Sequence, residues 1–269
     1  MKSTSELVRF SALVLAGDRH ANDPVAAMSG LGCKALTKVQ GIPMLHRVLA
    51  ALRASDRITE ITLVGPSRKA LDNDLRMHTL LGRGELFALE PASTPSASAL
   101  LGLQHVKTRP LFVTTADHAL LRPEIVDYFL DRSRLNGCDV SVAVTSLETV
   151  TTMFPGHRRT AIKLKGGPYC GSNMFAFMTP ESEKLATFWR SVEEQRKSPT
   201  KVIASALGLA ATLKYLMGTL SLEQALQHIS SMVGLKIGAV LMPFAEAAVD
   251  VDSVSDHALV ERFLSKRER

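Results

Sequence analysis

Short apolar runs alternate with amphipathic stretches along the first half of the chain. The runs SALVLAG, EITLVGP, PLFVTTADHALL and DVSVAVTSL have the composition and length of buried strands. Between them, PMLHRVLAALRAS and RPEIVDYFLDRSRLNG carry apolar residues at helical spacing, with Pro43 suited to a first turn and Gly137 to a helix end. Strands separated by helices pair in parallel through right-handed crossovers. The pattern therefore predicts an α/β sheet with a ligand site at the carboxyl ends of its strands.

The pattern changes after Ser172. The run NMFAFMTP predicts a strand, whereas PESEKLATFWRSVEEQRK and the stretch from Lys201 to Val233 are mostly helical in character. LKIGAVLMP and AAVDVDS then return to apolar, strand-like patterns before a closing helix from about Asp256. The sequence shows no internal repeat and no convincing linker. We therefore predict a single domain, residues 1–269, with a mostly helical insertion at about 180–233.

Composition narrows the class of protein. The formal net charge of +6 favours anionic ligands, but no basic run with interleaved aromatic residues and no zinc-finger spacing points to nucleic acid. The three cysteines are far apart and form no CxxC pair, which is typical of buried thiols in a reduced compartment. No apolar run reaches the roughly 18 residues of a membrane span. We expect a cytoplasmic protein without a membrane span or a nucleic-acid partner.

One loop has the features of a phosphate-binding segment. In LVLAGDRHANDPVAAMSGLGCKAL, the strand is followed by Gly17 and a long loop that ends at Lys34. Such a loop offers backbone N–H groups to an anion, and a lysine adds a point charge for phosphate oxygens. The segment matches neither GxxxxGK(S/T) nor GxGxxG. Taken alone, a surface loop with a solvated lysine explains it equally well.

Two acidic segments add candidate metal ligands. Asp117 follows the apolar run FVTT, where the strand is expected to end, and a carboxylate there can hold a divalent cation that bridges phosphates. In AAVDVDSVSDHALV, Asp250 and Asp252 share one face if the segment is extended. Asp256 is interpreted as a cap or first-turn acid of the closing helix. We predict that Asp250 and Asp252 complete a site with Asp117.

The order of these features resembles the MobA-like NTP transferases, a branch of the nucleotidyltransferases that includes molybdenum-cofactor and sugar-phosphate enzymes. The resemblance spans about residues 11 to 264. KALTKVQGIPMLHRVLAAL is similar to the family's loop lysine and Gly-x-Pro-Met/Leu helix start, TTADHALL to its Thr-x-Asp-x-Pro-Leu segment, and GPYCGSNMFAF to its glycine-rich acceptor-side strand. It implies a three-layer α/β/α sandwich with a mostly parallel, Rossmann-like sheet, of the nucleotide-diphospho-sugar transferase type.

The resemblance also implies a reaction and a set of residues. A phosphate on a small acceptor attacks the α-phosphorus of a nucleoside triphosphate, and pyrophosphate leaves, with Mg²⁺ (or Mn²⁺) as cofactor. Lys34 and Asp117 would be catalytic; Asp117 would be the first metal ligand and Asp250 or Asp252 the second. Ser96 and Ser98 fall where the family binds base or ribose. The implied nucleotide-binding residues are Leu15, Ala16, Gly17, Arg19, Lys34, Ser96, Ser98 and Asp117.

The segment GHRRTAIKLKGG is the candidate acceptor side. If it is extended, Arg159 and Lys163 share one face, which suits a phosphorylated acceptor. A solvated edge strand protected by lysines explains the segment equally well. The implied acceptor-binding residues are Arg159, Lys163, Gly171 and Asn173.

Departures from the family pattern leave the nucleotide preference open. GDRHANDP has one glycine where the family has two, Cys33 replaces a proline before the lysine, and Ala119 replaces a proline after the aspartate. One alternative is a glycosyltransferase of similar fold that uses a nucleotide sugar, although such enzymes hold their metal through a mid-chain Asp-x-Asp. A second alternative is a non-catalytic nucleotide-binding protein, because the glycine loop is reduced. The sequence also leaves a homodimer open.

Overall fold

The computed structural model describes residues 8–18, 23–30, 32–194, 212 and 214–267. The strands are β1 (Phe10–Leu15), β2 (Lys38–Val39), β3 (Ile42–Pro43), β4 (Ile58–Val64), β5 (Phe87–Leu89), β6 (Leu111–Thr115), β7 (Val140–Ser146), β8 (Ile162–Leu164), β9 (Gly167–Phe177) and β10 (Ile237–Leu241).

The described α-helices come between and after these strands. They are α1 (Pro24–Met28), α2 (Met44–Ala54), α3 (Arg68–Asp72), α4 (Leu75–Gly82), α5 (Pro95–His105), α6 (Pro123–Leu135), α7 (Leu147–Met153), α8 (Glu183–Glu194), α9 (Leu222–Val233) and α10 (Val254–Arg267). The strands and helices expected in the first half of the chain are confirmed. The predicted insertion is described only in part, as α8 and α9, and a single domain over 1–269 stays a prediction.

The central sheet has the strand order β10-β7-β9-β6-β1-β4-β5, with β8 paired to β9. Strand β1 pairs in parallel with β4 and β6, β4 with β5, and β10 with β7. Strand β9 is antiparallel to both β6 and β7. The mostly parallel α/β sheet is therefore confirmed, and β9 is its antiparallel member.

Helices cover both faces of this sheet. Ala12 and Val14 of β1 pack in one core with Leu45 of α2, whereas Leu13 packs on the other face with Leu103 of α5. All five side chains are fully buried. Because alternate strand residues point to opposite faces, a run of consecutive apolar residues supplies both cores. Burial of each such leucine stabilises the folded chain by about 1.5–3 kcal/mol. Because a core lies on each face of the sheet, the predicted three-layer arrangement is confirmed.

The carboxyl ends of β1 and β6 lie side by side. Leu15 pairs with Val64 of β4 and Thr115 of β6, and Ala116 N donates to Leu15 O at 2.9 Å. The chain passes from β1 to its neighbour β4 on one side of β1, and later returns to β6 on the other side of β1. Such a switch point leaves a crevice between the two loops, where α/β proteins bind ligands.

The segment AAVDVDS is not a strand. Its first residues belong to a 3₁₀ turn, Ala245–Ala248, and residues 249–252 have no regular structure. Val251 N donates to Asp117 O at 3.1 Å, which brings this segment to the end of β6. Helix α10 then begins two residues after Asp252. In the described part of the chain, no helix has the length and apolar character needed to cross a membrane.

Candidate active site

Glycines bring the backbone of the first loop close to its neighbours. Gly65 has φ +75°, and a Cβ atom placed on it would lie 2.7 Å from Gly17 N. A Cβ atom on Gly17 would lie 3.0 Å from Pro91 Cβ. Backbone atoms therefore form this corner, which allows a close approach to an anion or a base. Ala16 is buried beside it, and the predicted residue Arg19 lies outside the described residues.

Asp18 joins the two ends of this loop. Its Oδ1 accepts a hydrogen bond from Lys34 N at 2.9 Å. Burial raises the pKa of Asp18, while the hydrogen bond from Lys34 N opposes that rise. The short 3₁₀ turn Lys34–Leu36 follows, and Lys34 is thereby held at the sheet edge. Our sequence reasoning missed Asp18, although its place directly after the glycine of a strand end was a usable signal.

Lys34 lies between two carboxylates. Its Nζ donates to Asp117 Oδ2 and to Asp252 Oδ1, both at 2.6 Å. The side chains of Lys34 and Asp117 are only 12% and 13% exposed, and that of Asp252 is 44% exposed. Burial acts to lower the pKa of Lys34, but the charges and hydrogen bonds of the two carboxylates outweigh it and raise that pKa above its ordinary value. Lys34 is therefore a fixed cation at the switch point.

Thr115 orients the carboxylate of Asp117. The Thr115 hydroxyl donates to Asp117 Oδ1 at 2.6 Å, so that both oxygens of this carboxylate accept hydrogen bonds. Thr115 is the last residue of β6, and its side chain is fixed by the strand. The sequence analysis did not single out this threonine, although it stands two residues before Asp117 in TTADH.

The start of α10 positions Asp252. Ser253 Oγ accepts a hydrogen bond from Asp256 N at 3.2 Å and donates to Asp256 Oδ2 at 2.6 Å. The same Oδ2 accepts from Asp252 N at 3.2 Å. This reciprocal arrangement satisfies backbone N–H groups at the helix start. The expected role of Asp256 as a first-turn acid is confirmed, and the cap fixes the backbone of Asp252.

Asp250 contacts a different set of residues. Its carboxylate accepts from Arg159 in an ion pair and from Asn173 Nδ2 at 3.0 Å. Arg159 Nη1 also lies 3.7 Å from Asp256 Oδ1. The shared face expected of an extended Asp250–Asp252 segment is therefore wrong: Asp252 contacts Lys34, whereas Asp250 contacts the acceptor-side candidates.

A single cavity joins most of the predicted nucleotide residues. Ser96 and Ser98 are buried at the start of α5, where Thr94 caps the helix by accepting from Ala97 N. Ser98 Oγ accepts from Ala92 N at 3.0 Å, which fixes the loop before the helix. The predicted site residues that line the cavity are Leu15, Gly17, Lys34, Ser96, Ser98, Asp117 and Asn173.

Two predicted acceptor residues lie elsewhere. Lys163 on β8 and Gly171 on β9 are exposed and stand outside the lining of this cavity. What each predicted residue binds stays a prediction, but the structure groups Lys34, Asp117 and Asp252 at one point and Arg159, Asn173 and Asp250 beside it.

The donor set fits a magnesium ion. Among the described residues, no group of three or more His, Cys, Asp or Glu side chains is arranged to hold a metal. Magnesium, however, commonly binds one or two carboxylates and takes its remaining ligands from phosphates and water. Asp117 and Asp252 supply two carboxylates that already share a cation, Lys34, and their summed charge with it is −1. The pair can therefore accept a further cation.

A glycine-lined corner, a lysine and two carboxylates lie together at the switch point of a parallel sheet, and these are groups that suit a phosphate ligand. The model of the MobA-like NTP transferase domain matches residues 12–227. The chain belongs to this family, and it is a nucleotidyltransferase. No curated protein matches it in sequence.

Solved structures resemble nearly the whole chain. A hypothetical transferase from Thermus thermophilus is 28% identical with a TM-score of 0.78, and the match covers 93% of this chain and 100% of that one. 4-Diphosphocytidyl-2C-methyl-D-erythritol synthase from Anaerococcus prevotii is 14% identical with a TM-score of 0.56, over 96% of both chains. A CMP:2-keto-3-deoxy-manno-octonic acid synthetase complexed with CTP is 12% identical with a TM-score of 0.53, over 97% of this chain and 100% of that one. The last two share the fold.

Proposed function

We propose that this nucleotidyltransferase is magnesium-dependent, and that it transfers a nucleoside monophosphate from a nucleoside triphosphate to a small phosphorylated acceptor, releasing pyrophosphate. The observation that carries the proposal is the pair of carboxylates, Asp117 and Asp252, each 2.6 Å from the Nζ atom of Lys34. This group lies beside the loop of Gly17, in a crevice between parallel strands.

The nucleotide side is formed by the loop after β1 and the start of α5. Backbone atoms near Gly17 and the Lys34 ammonium bind the triphosphate, because both present positive charge to its oxygens. Ser96 and Ser98 line the same cavity and contact the nucleoside. Asp117 and Asp252 would hold magnesium, which supplies charge neutralisation for the phosphate oxygens.

The acceptor side is formed by β9 and by Arg159. Asn173 lines the cavity on the side of β6 away from β1, and Asp250 holds both Asn173 and Arg159 in place. An acceptor phosphate is already ionised, so the chain needs no strong general base. Its residues act by placing the acceptor oxygen in line with the α-phosphorus and by stabilising charge in a preorganised site.

Thermal unfolding with ATP, GTP, CTP or UTP, each with and without magnesium, tests the nucleotide and metal assignments. A ligand that binds the folded state raises its stability by RT ln(1 + [L]/Kd), about 2.7 kcal/mol at one hundred times Kd. We expect a magnesium-dependent shift with one triphosphate, lost in Asp117→Asn and kept in Asp56→Asn, which changes an exposed aspartate.

Product analysis tests the reaction. With the triphosphate that shifts the unfolding midpoint, pyrophosphate release should require a phosphorylated acceptor and magnesium. Turnover that survives Asp117→Asn or needs no divalent metal would contradict the proposal. Release of a nucleoside diphosphate from a nucleotide sugar would instead support the glycosyltransferase alternative, and nucleotide binding without any turnover would support a non-catalytic role.

A further inference from the structure

The cavity at the active site continues along one face of the sheet. It has a volume of about 140 Å³ and runs from the carboxyl edge into the space between the sheet, α5 and α8. Val113 of β6 and Phe175 and Phe177 of β9 form its floor. Leu103 of α5 and Leu185 of α8 form its walls. The deeper part of this space is therefore lined by aliphatic and aromatic side chains.

Charge is confined to the mouth of the cavity. Among the described residues that line it, the charged ones are Asp18, Lys34 and Asp117, all at the carboxyl edge of the sheet. Along β9, Asn173 and Phe175 point to the same face, so that the lining changes from an amide to an aromatic ring within two residues. A ligand that follows the cavity is thus polar at the mouth and apolar below it.

The apolar floor begins close to the proposed reacting centre. Phe175 pairs with Val113 in the register of β6 and β9. Val113 stands two residues before Thr115, whose hydroxyl donates to Asp117. Two strand residues span about 7 Å, so an apolar group in the cavity is only a few bonds from a reacting atom beside Asp117.

The position of the deeper, apolar part of the cavity assigns that part to the acceptor. The loop after β1, Ser96 and Ser98 lie on one side of the proposed metal pair, and β9 lies on the other side of β6. This assignment rests on the proposed function, in which the nucleotide is bound on the β1 side.

Trp189, the only tryptophan of the chain, stands at this cavity. Its side chain is 50% exposed although its indole packs edge-on against Phe175, with ring centroids 5.5 Å apart. An apolar ligand group would cover more of this indole, and burial of aromatic surface favours binding.

We propose that the acceptor is amphipathic: its phosphate lies at the charged mouth, and an uncharged hydrocarbon group of up to about six carbon atoms, a ring or a short chain, fills the deeper, apolar part of the cavity. An apolar cavity of about 150 Å³ admits a benzene ring. The whole cavity here, mouth included, measures about 140 Å³, which sets the upper limit for this group. The apolar group lies between Phe175, Leu185 and Trp189.

Alkyl phosphates of increasing chain length test this subsite without requiring turnover. Fluorescence of Trp189 reports binding, measured in the presence of magnesium. Each buried methylene contributes about 0.8 kcal/mol, so affinity should rise about fourfold per carbon from ethyl to hexyl phosphate. Equal affinity across the series would overturn the proposal.

Two neighbouring residues of α8 supply matched variants. Ala186 is 5% exposed and lines the cavity, whereas Thr187 is exposed and stands outside its lining. Ala186→Leu should weaken hexyl phosphate binding at least tenfold and leave ethyl phosphate binding unchanged, while Thr187→Leu should change neither. Equal behaviour of the two variants would contradict the subsite.

A second variant, together with the rise in unfolding midpoint that nucleoside triphosphate causes, keeps the test independent of folding defects. Leu185→Ala enlarges the cavity and should move the best chain length upward; an unchanged optimum would contradict the proposal. The magnesium-dependent shift with nucleoside triphosphate is measured on the same preparations. Its absence in the wild-type protein overturns the proposed function, whereas loss of the chain-length dependence with that shift intact overturns only the apolar subsite.

Discussion

Replacing Lys34 with methionine removes the cation between Asp117 and Asp252 while keeping most of the side-chain volume. Lys34 and Asp117 are almost fully buried, and truncating one partner of a buried ion pair costs about 3–5 kcal/mol, because the other charge is left without a partner. Asp252 is 44% exposed, so water screens part of its charge. We therefore expect the lower end of the range, about 3 kcal/mol of unfolding free energy.

Urea denaturation at neutral pH without divalent metal measures this loss. In a thermal melt of the same two proteins, a change of about 3 kcal/mol should lower the unfolding midpoint by about 6–12 °C for a chain of this size. The matched control is Lys69→Met, which removes an exposed lysine of α3 and should stay within about 0.5 kcal/mol of wild type. A stability of Lys34→Met equal to that of this control would refute the reasoning.

A double-mutant cycle separates charge from packing. In an Asp117→Asn/Asp252→Asn background no carboxylate is left without a cation, so the same Lys34→Met substitution should cost less than about 1 kcal/mol. If the cost stays at about 3 kcal/mol in that background, the side chain stabilises the fold by packing and not by its charge.

Three further substitutions test the surroundings of the site. Gly65→Ala places a Cβ atom 2.7 Å from Gly17 N and should cost more unfolding free energy in urea than Gly137→Ala, where φ is also positive but nothing lies within 4 Å. Asp256→Asn should lose about 0.3–1 kcal/mol, the usual contribution of an acid in the first turn of a helix, and should lower kcat more than it raises KM for the nucleotide, as measured by pyrophosphate release. Burial lowers the pKa of His46, although Asp74 opposes this, and it also lowers the pKa values of His118 and His157. The unfolded chain therefore takes up protons first as pH falls below about 6.5. The unfolding midpoint should drop there, and His46→Gln should make the drop smaller.

The sequence predicted the strands and helices of the first half of the chain because each has a periodic pattern. Consecutive apolar residues such as Ala12, Leu13 and Val14 are typical of a strand buried on both faces, and the structure buries all three. The direction of β9 was not predictable in the same way. Periodicity shows that a segment is extended, whereas its direction depends on the route of the chain between β7 and β9.

The sequence predicts only those site residues that come after a recognisable strand. Lys34 and Asp117 follow recognisable strands, and parallel strands bring their ends together. The hydrogen bond between Lys34 and Asp252 joins residues 218 positions apart, and the divergence of Asp250 from Asp252 depends on a segment without regular structure. No local pattern predicts such contacts. Asp18 and Thr115 are different, because each stands within two residues of a residue that the sequence did reveal, Gly17 and Asp117, and both were missed although this local signal was present.

One buried residue links the two halves of the proposed site. Asp256 is 7% exposed, and its Oδ2 fixes the backbone of Asp252, while its Oδ1 lies 3.7 Å from Arg159 Nη1 and 3.1 Å from His157 Nε2. The carboxylate proposed for magnesium and the arginine proposed for the acceptor are therefore placed by the same helix start. A shift of α10 by a fraction of an ångström would move both groups together, so metal binding and acceptor binding are expected to be coupled through Asp256.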